Sequence, residues 1–148
     1  MLVLLPIRTA YFPSLIKSLH NRWLFFISLY LNLIKLKMKV SFDYDRTLTR
    51  KDVQDYATYL MSKGIKVSIL TSRPEYKIKE VYDLADELGI DKVKYTNYES
   101  KALFLNGYDL HIDDDDKELR DIEHYCTCVG VNVNLQNWKE ISNELIGI

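Results

Sequence analysis

The chain has 148 residues, 47% hydrophobic and 28% charged, with a formal net charge of −1. That length fits one domain, and the composition excludes collagen-like, low-complexity and disordered chains. The charge is unevenly divided: residues 1–37 carry five basic side chains (Arg8, Lys17, Arg22, Lys35, Lys37) and no acid, whereas residues 38–148 carry 15 basic and 21 acidic ones, a balance of −6.

Residues 1–37 read as a hydrophobic, basic extension outside the fold. Their apolar run from Trp23 to Ile34 is twelve residues long, about 18 Å of helix against a hydrocarbon core of about 30 Å, which makes a poor membrane span. No small-x-small cleavage site follows Ile34, so the segment is also a poor signal peptide. Met38-Lys39-Val40-Ser41-Phe42-Asp43 reads as the opening of a domain whose first strand starts at once. The expectation is an over-extended start before a domain at 38–148. The alternative is a membrane association through residues 15–36, lying in the interface with a basic rim.

From Met38 onward strand and helix patterns alternate. Val40–Asp43 is a short apolar strand. Lys51–Lys63 is helical, with Val53, Tyr56, Ala57, Leu60 and Met61 at three-and-four spacing and Gly64 past its end. Ile65–Leu70 reads as a strand. Glu75–Leu88 reads as a helix with Ile78, Val81, Tyr82, Ala85 and Leu88 on its inner face, closed by Gly89. Lys92–Tyr95 is a weak strand, Ser100–Leu105 a short helix and Tyr108–Ile112 a strand. Lys117–His124 is helical, Cys126–Val131 a fifth strand and Trp138–Ile146 a last helix. Such alternation makes right-handed parallel crossovers and a sheet covered on both faces, with ligands beyond the carboxyl ends of the strands.

Those ends carry the suggestive residues. Asp43 and Asp45 follow the first strand, Thr71, Ser72 and Arg73 the second, and Asp113–Asp116 the fourth. Clustered carboxylates repel unless a cation neutralises them, and hard oxygen ligands suit Mg²⁺. Asp113–Asp116 alone would read as a solvated acidic turn capping the next helix; Asp43 and Asp45 at the end of another strand favour a site. Beside a metal, Asp43 can act as a nucleophile toward phosphorus, with Asp45 as acid and base. Thr71 offers a hydroxyl to a phosphoryl oxygen. Lys101 is the candidate to balance charge on the transferring group, although alone it reads as an ordinary exposed lysine.

This order of residues resembles the haloacid dehalogenase-like (HAD) hydrolase superfamily over about residues 39–131. The first motif reads Asp43-Tyr44-Asp45-Arg46-Thr47-Leu48-Thr49, the second Val67-Ser68-Ile69-Leu70-Thr71-Ser72-Arg73, the third Lys101, and the fourth Leu110-His111-Ile112-Asp113-Asp114. The resemblance implies a three-layer Rossmann-like α/β sandwich with a parallel five-stranded sheet of order 3-2-1-4-5. It implies an Mg²⁺-dependent phosphomonoester hydrolase working through an aspartyl-phosphate on Asp43. Asp45 is then the acid/base, with its main-chain carbonyl on the metal. Thr71 and Lys101 hold the phosphoryl group, and Asp113 or Asp114 completes the metal shell. Arg46 stands where the family usually has Gly, and either reshapes that loop or, with Ser72 and Arg73, faces substrate. Two-component receiver domains use similar parts, but there the acidic pair comes first and the lysine last; here the lysine precedes the pair.

The 26 residues from Asp45 to Thr71 and the 30 from Thr71 to Lys101 leave no room for an inserted cap. By the resemblance, an uncapped site is open and suits bulky or macromolecular phosphates, or is closed by a partner; a phosphorylated small molecule such as a nucleotide, or a nucleic-acid end, is within reach. The acidic balance argues against tight unaided nucleic-acid binding. Phosphotransfer to another acceptor and a catalytically idle binding domain are the other functional readings. Cys126 and Cys128 are expected to alternate on the fifth strand as structural thiols, a usage that suits a reducing, cytoplasmic setting. His111 and His124 show no ligand-like partner and read as structural. Asn132, Asn134 and Asn137 read as a polar loop, and Trp138 as a packing residue.

Overall fold

The structure, a computed structural model, describes residues 12–35 and 38–148. The chain divides into two compact units between Ile34 and Lys35. In the first, a helix α1 runs from Phe12 to Lys35, extending the apolar run by about three turns toward the N-terminus. Among the described residues no helix is long and apolar enough to cross a membrane.

The second unit is an α/β fold around five parallel strands: β1 (Lys39–Phe42), β2 (Lys66–Thr71), β3 (Val93–Tyr95), β4 (Leu110–Asp113) and β5 (Val129–Asn132). Their order is β3-β2-β1-β4-β5, as expected. Four helices lie in the layers around the sheet: α2 (Lys51–Ser62), α3 (Lys79–Leu88), α4 (Asp116–Tyr125) and α5 (Trp138–Ile146). A single π-helical turn (Tyr44–Leu48) and α2 separate β1 from β2, and a single-turn 3₁₀ segment and α3 separate β2 from β3, so neither crossover carries a cap.

The two faces of the sheet differ. On one, Val40, Phe42, Ile69, Leu110 and Ile112 pack with Val53, Tyr56 and Leu60 of α2, Val81 and Ala85 of α3, and Trp138 and Ile146 of α5. Trp138 meets Tyr56 edge to face at 5.0 Å between centroids, in the packing role expected of it. The smaller second core joins Leu70, Ala102, Leu105, Tyr108, Ile122 and Cys128. Alternation along the strands turns Ser41 and His111, register partners on β1 and β4, away from the first core. Both are fully buried, and the Ser41 hydroxyl lies 2.8 Å from His111 Nδ1. A polar stripe therefore runs up the centre of the sheet toward the strand ends.

Three local expectations change. The Glu75–Leu88 pattern breaks at Ile78 into a 3₁₀ turn (Glu75–Lys77) and α3, and Tyr82 is exposed rather than inward. The short helix before β4 is a 3₁₀ turn, Lys101–Phe104. Cys126 ends α4 and Cys128 precedes β5, so the two thiols do not alternate on a strand. Cys128 is buried in the second core, and burial pushes its thiol up to about 12. Gly130 opens β5 to α4: a Cβ there would meet Leu119 Cδ2 at 2.7 Å.

Candidate functional site

Asp43 and Asp113 each follow one residue behind the paired Phe42 and Ile112, so they leave adjacent parallel strands side by side. The Asp43 N–H donates to the Ile112 carbonyl at 2.9 Å, which holds that relation firm. Lys101 enters from the 3₁₀ turn on the second face. Its ammonium donates to Asp43 Oδ1 at 2.7 Å and to Asp113 Oδ2 at 2.6 Å. The lysine is 2% exposed, so the reading as an ordinary surface lysine does not hold. Its own N–H donates to Glu118 Oε2 at 3.0 Å, fixing the start of the turn to α4.

Burial opposes the charge on Lys101, but Asp43 and Asp113 outweigh it and hold the ammonium protonated above its ordinary range. The two carboxylates are unequal. Burial also works against the charge on Asp113, but the bonds from His111 Nε2 at 3.0 Å and from Lys101 prevail, and its carboxyl lies well below the usual range. The Asp115 N–H adds a third bond, to Oδ1 at 2.9 Å. Asp43 has Lys101 alone: burial pushes its carboxyl up to about 7, against the pull of Lys101 and with the push of Asp113. Among the described residues no donor meets Asp43 Oδ2.

His111 is a site neighbour that sequence reasoning missed. Burial holds it below its ordinary range and therefore neutral. An ionised Asp113 only accepts, so Nε2 carries the proton and donates to it, and Nδ1 accepts from Ser41. The signal was available in the period-two pattern: His111 stands two residues before Asp113 and Ser41 two before Asp43, on one sheet face.

Asp114 completes the cluster. Single carboxylate oxygens of Asp43, Asp113 and Asp114 lie within 4.8 Å of one another, a group able to hold a metal ion. Three carboxylates face one buried ammonium there, an excess of negative charge in a hard-oxygen donor set that fits a divalent cation. The Asp run divides in two. Asp113 and Asp114 turn to the cluster, whereas Asp115 caps α4 by accepting from the Lys117 N–H at 2.8 Å, and Asp116 accepts from Asn132 Nδ2 at 2.6 Å.

Arg46 takes the left-handed backbone that its place in the loop demands, at φ 60° and ψ −2°. Its side chain is 79% exposed, and Nε lies 3.2 Å from Asp114 Oδ2. Thr47, fully buried, donates to Asp114 Oδ1 at 3.4 Å. Asp45 stands apart from the cluster, in the two-pronged grip of Arg73: Nε to Oδ2 at 2.9 Å and Nη2 to Oδ1 at 2.7 Å. Arg73 lies over the Tyr44 ring at 4.9 Å and reaches Glu80 at 3.0 Å. Tyr44 and Glu80 were not singled out in the sequence. Thr71 is buried at the end of β2, where its hydroxyl accepts from the Arg73 N–H at 3.2 Å. Ser72 is half-buried, and its carbonyl accepts from the Tyr98 N–H at 2.9 Å.

No family model and no curated protein matches the chain. Among solved structures it is similar to the crystal structure of an uncharacterized protein from Corynebacterium glutamicum, with TM-score 0.61 and 16% identity over 76% of this chain and 96% of that one. At that identity the likeness speaks for the fold alone.

Proposed function

We propose that the chain is a small, capless HAD-like phosphomonoester hydrolase that uses Mg²⁺ and transfers the phosphoryl group through Asp43. The observation that carries this reading is the pair of hydrogen bonds that the buried Lys101 ammonium donates to Asp43 and Asp113. Four residues from three separate parts of the sequence, Asp43, Lys101, Asp113 and Asp114, meet beyond the strand ends, in the order the resemblance implies. Asp43, Asp113 and Asp114 would hold Mg²⁺, whose charge favours the ionised Asp43 and offsets the phosphoryl oxygens.

In this reading Asp43 Oδ2 attacks phosphorus, and the bond from phosphorus to the leaving oxygen breaks. Asp45 gives its proton to that oxygen. Asp45 then takes a proton from water as the water oxygen attacks phosphorus, which releases phosphate and restores Asp43. Lys101 balances the charge of the transferring group from a buried position, where an ammonium acts strongly. Both Asp45 oxygens accept from Arg73, so substrate has to draw Arg73 away before Asp45 can reach the leaving oxygen. That grip is also what favours the second reading, a catalytically idle binding domain.

The test is hydrolysis of a generic aryl phosphate by the full chain, with Mg²⁺ and with chelator, beside Asp43→Asn. Activity that requires Mg²⁺ and is lost in Asp43→Asn supports the hydrolase. No activity, with phosphate esters still binding, supports the idle domain.

A further inference from the structure

Arg73, which grips Asp45, also lines a cavity of about 560 Å³ together with Tyr76, Lys77, Lys79, Glu80 and Tyr98 among others. This volume falls in the usual range of small-molecule sites, about 300–1,000 Å³. Three cations and one carboxylate line it, on a domain whose overall balance is acidic. Lys79 is held by Asp83 at 2.6 Å, whereas Lys77 makes no ion pair among the described residues and lies over the Tyr76 ring at 5.4 Å.

The two tyrosines are outward-facing: Tyr76 is 78% and Tyr98 71% exposed. Tyr98 is presented by a strained loop. Asn97 and Tyr98 both take left-handed backbone, at φ 52° and 69°, without being glycine. The loop is tied to the site: the Tyr98 N–H donates to the Ser72 carbonyl at 2.9 Å, and the Asn97 carboxamide accepts from the Glu75 N–H at 3.3 Å. Strain of this kind persists where the surroundings over-determine it, and it concentrates at ligand clamps. An exposed aromatic ring has nothing to gain from such a loop unless something stacks on it.

We infer that this cavity is the leaving-group subsite and takes a mononucleotide, with its base stacked on Tyr98 or Tyr76 and its phosphate directed past Arg73 to Asp43. The inference rests on the proposed hydrolase reading and adds the substrate class. Tyrosine faces suit any flat base, and Arg73, which lines the cavity and also reaches Asp45, suits the phosphate that passes it. The small-molecule volume of the cavity and the acidic balance of the rest of the domain favour a free nucleotide over a polynucleotide.

The test is equilibrium binding of adenosine 5′-monophosphate and of ribose 5-phosphate, with Mg²⁺, to the full chain carrying Asp43→Asn so that neither turns over. The nucleotide is expected to bind about tenfold more tightly, a margin in keeping with one base–aromatic stack. Tyr98→Ala or Tyr76→Ala should remove that margin, and Tyr98→Phe, which keeps the ring, should retain it. Equal affinity for the two ligands, or a margin that survives both alanine changes, overturns the inference. Aryl phosphate hydrolysis by the unsubstituted chain separates the two levels. Hydrolysis without a nucleotide margin sinks the subsite alone, whereas a tyrosine-dependent margin without hydrolysis sinks the hydrolase reading and leaves a nucleotide-binding cavity with no leaving-group role.

Discussion

The Lys101 ammonium lies 2.7 Å from Asp43 Oδ1 across 58 residues of sequence, with both side chains almost wholly buried. Removing one partner of such a pair leaves the other charge without compensation, at a typical cost of about 3–5 kcal/mol. Lys101→Met should therefore destabilise the chain by about 3 kcal/mol or more in urea unfolding. Added Mg²⁺ should narrow the difference, because it offsets the same carboxylates. A variant as stable as the parent in chelator would show that the pair contributes little.

Asp43 gives a pH dependence with a definite sign. Its folded-state value of about 7 lies above its ordinary 3.8, so the protonated form favours the fold. That contribution is complete below about pH 4 and is lost as pH rises through about 7. Asp113, held low, stays ionised throughout this range and adds no slope. His111, held below its ordinary 6.5, acts in the opposite sense until its unfolded form has lost its proton, about one unit above that value, so Asp43 prevails but is partly offset between about pH 6.5 and 8. Over that window the metal-free chain should lose a net of about 0.5 kcal/mol. Thermal melts in chelator check this: the midpoint should fall across the window, and Asp43→Asn should flatten it.

Arg46 occupies a left-handed position at φ 60°. Glycine there relieves backbone strain but adds unfolded-chain entropy, and the two effects are each on the order of 1 kcal/mol. Arg46→Gly should thus change stability by less than about 1 kcal/mol, whereas Arg46→Val should cost more than that. The glycine variant also withdraws a guanidinium from Asp114, so Mg²⁺ should bind it more tightly by calorimetric titration. Weaker binding would show that Arg46 helps to build the cluster.

Cys128 is 3% exposed and its thiol is pushed up to about 12 by burial, whereas Cys126 is half-buried at the end of α4. Thiolate, not thiol, attacks a disulfide reagent. In the native chain Cys126 should be modified first, and Cys128 only at the rate of unfolding. Rapid modification of both without denaturant would contradict the placement of Cys128 in the second core.

The fold was legible because each strand ends where chemistry begins. Val40–Phe42, Ile69–Thr71 and Leu110–Asp113 carry apolar residues up to a polar terminus, and one α-helix lies between each successive pair of strands from β1 to β3. Alternation failed where geometry rather than pattern decides. Tyr82 fits the inward spacing of its helix, but the core is filled by Ile78, Val81 and Ala85 and the tyrosine lies at the exposed margin of that face. The site was legible as a set of residues, not as a set of partners. Lys101 was singled out by its place in the motif order, but a lone lysine carries no sign of burial, so its bonds to Asp43 and Asp113 showed only when its turn was placed beside β1 and β4. The fork of Arg73 on Asp45 joins residues 28 positions apart, on loops whose approach no local pattern encodes. His111 was within reach, since it shares the face of Asp113, but a histidine inside a strand reads as packing until the strand's other face is shown to hold the apolar core.

The central claim, that Asp43 carries the phosphoryl group, is tested most directly in the full chain with Asp45→Asn. A nitrophenolate leaves without a proton, so this variant should still be phosphorylated by nitrophenyl phosphate but should fail to activate water. Acid quenching followed by peptide mass spectrometry should find the phosphoryl adduct on Asp43, formed only with Mg²⁺. Nitrophenolate release with no adduct on Asp43, undiminished when Asp43 is itself replaced by Asn, would contradict the account.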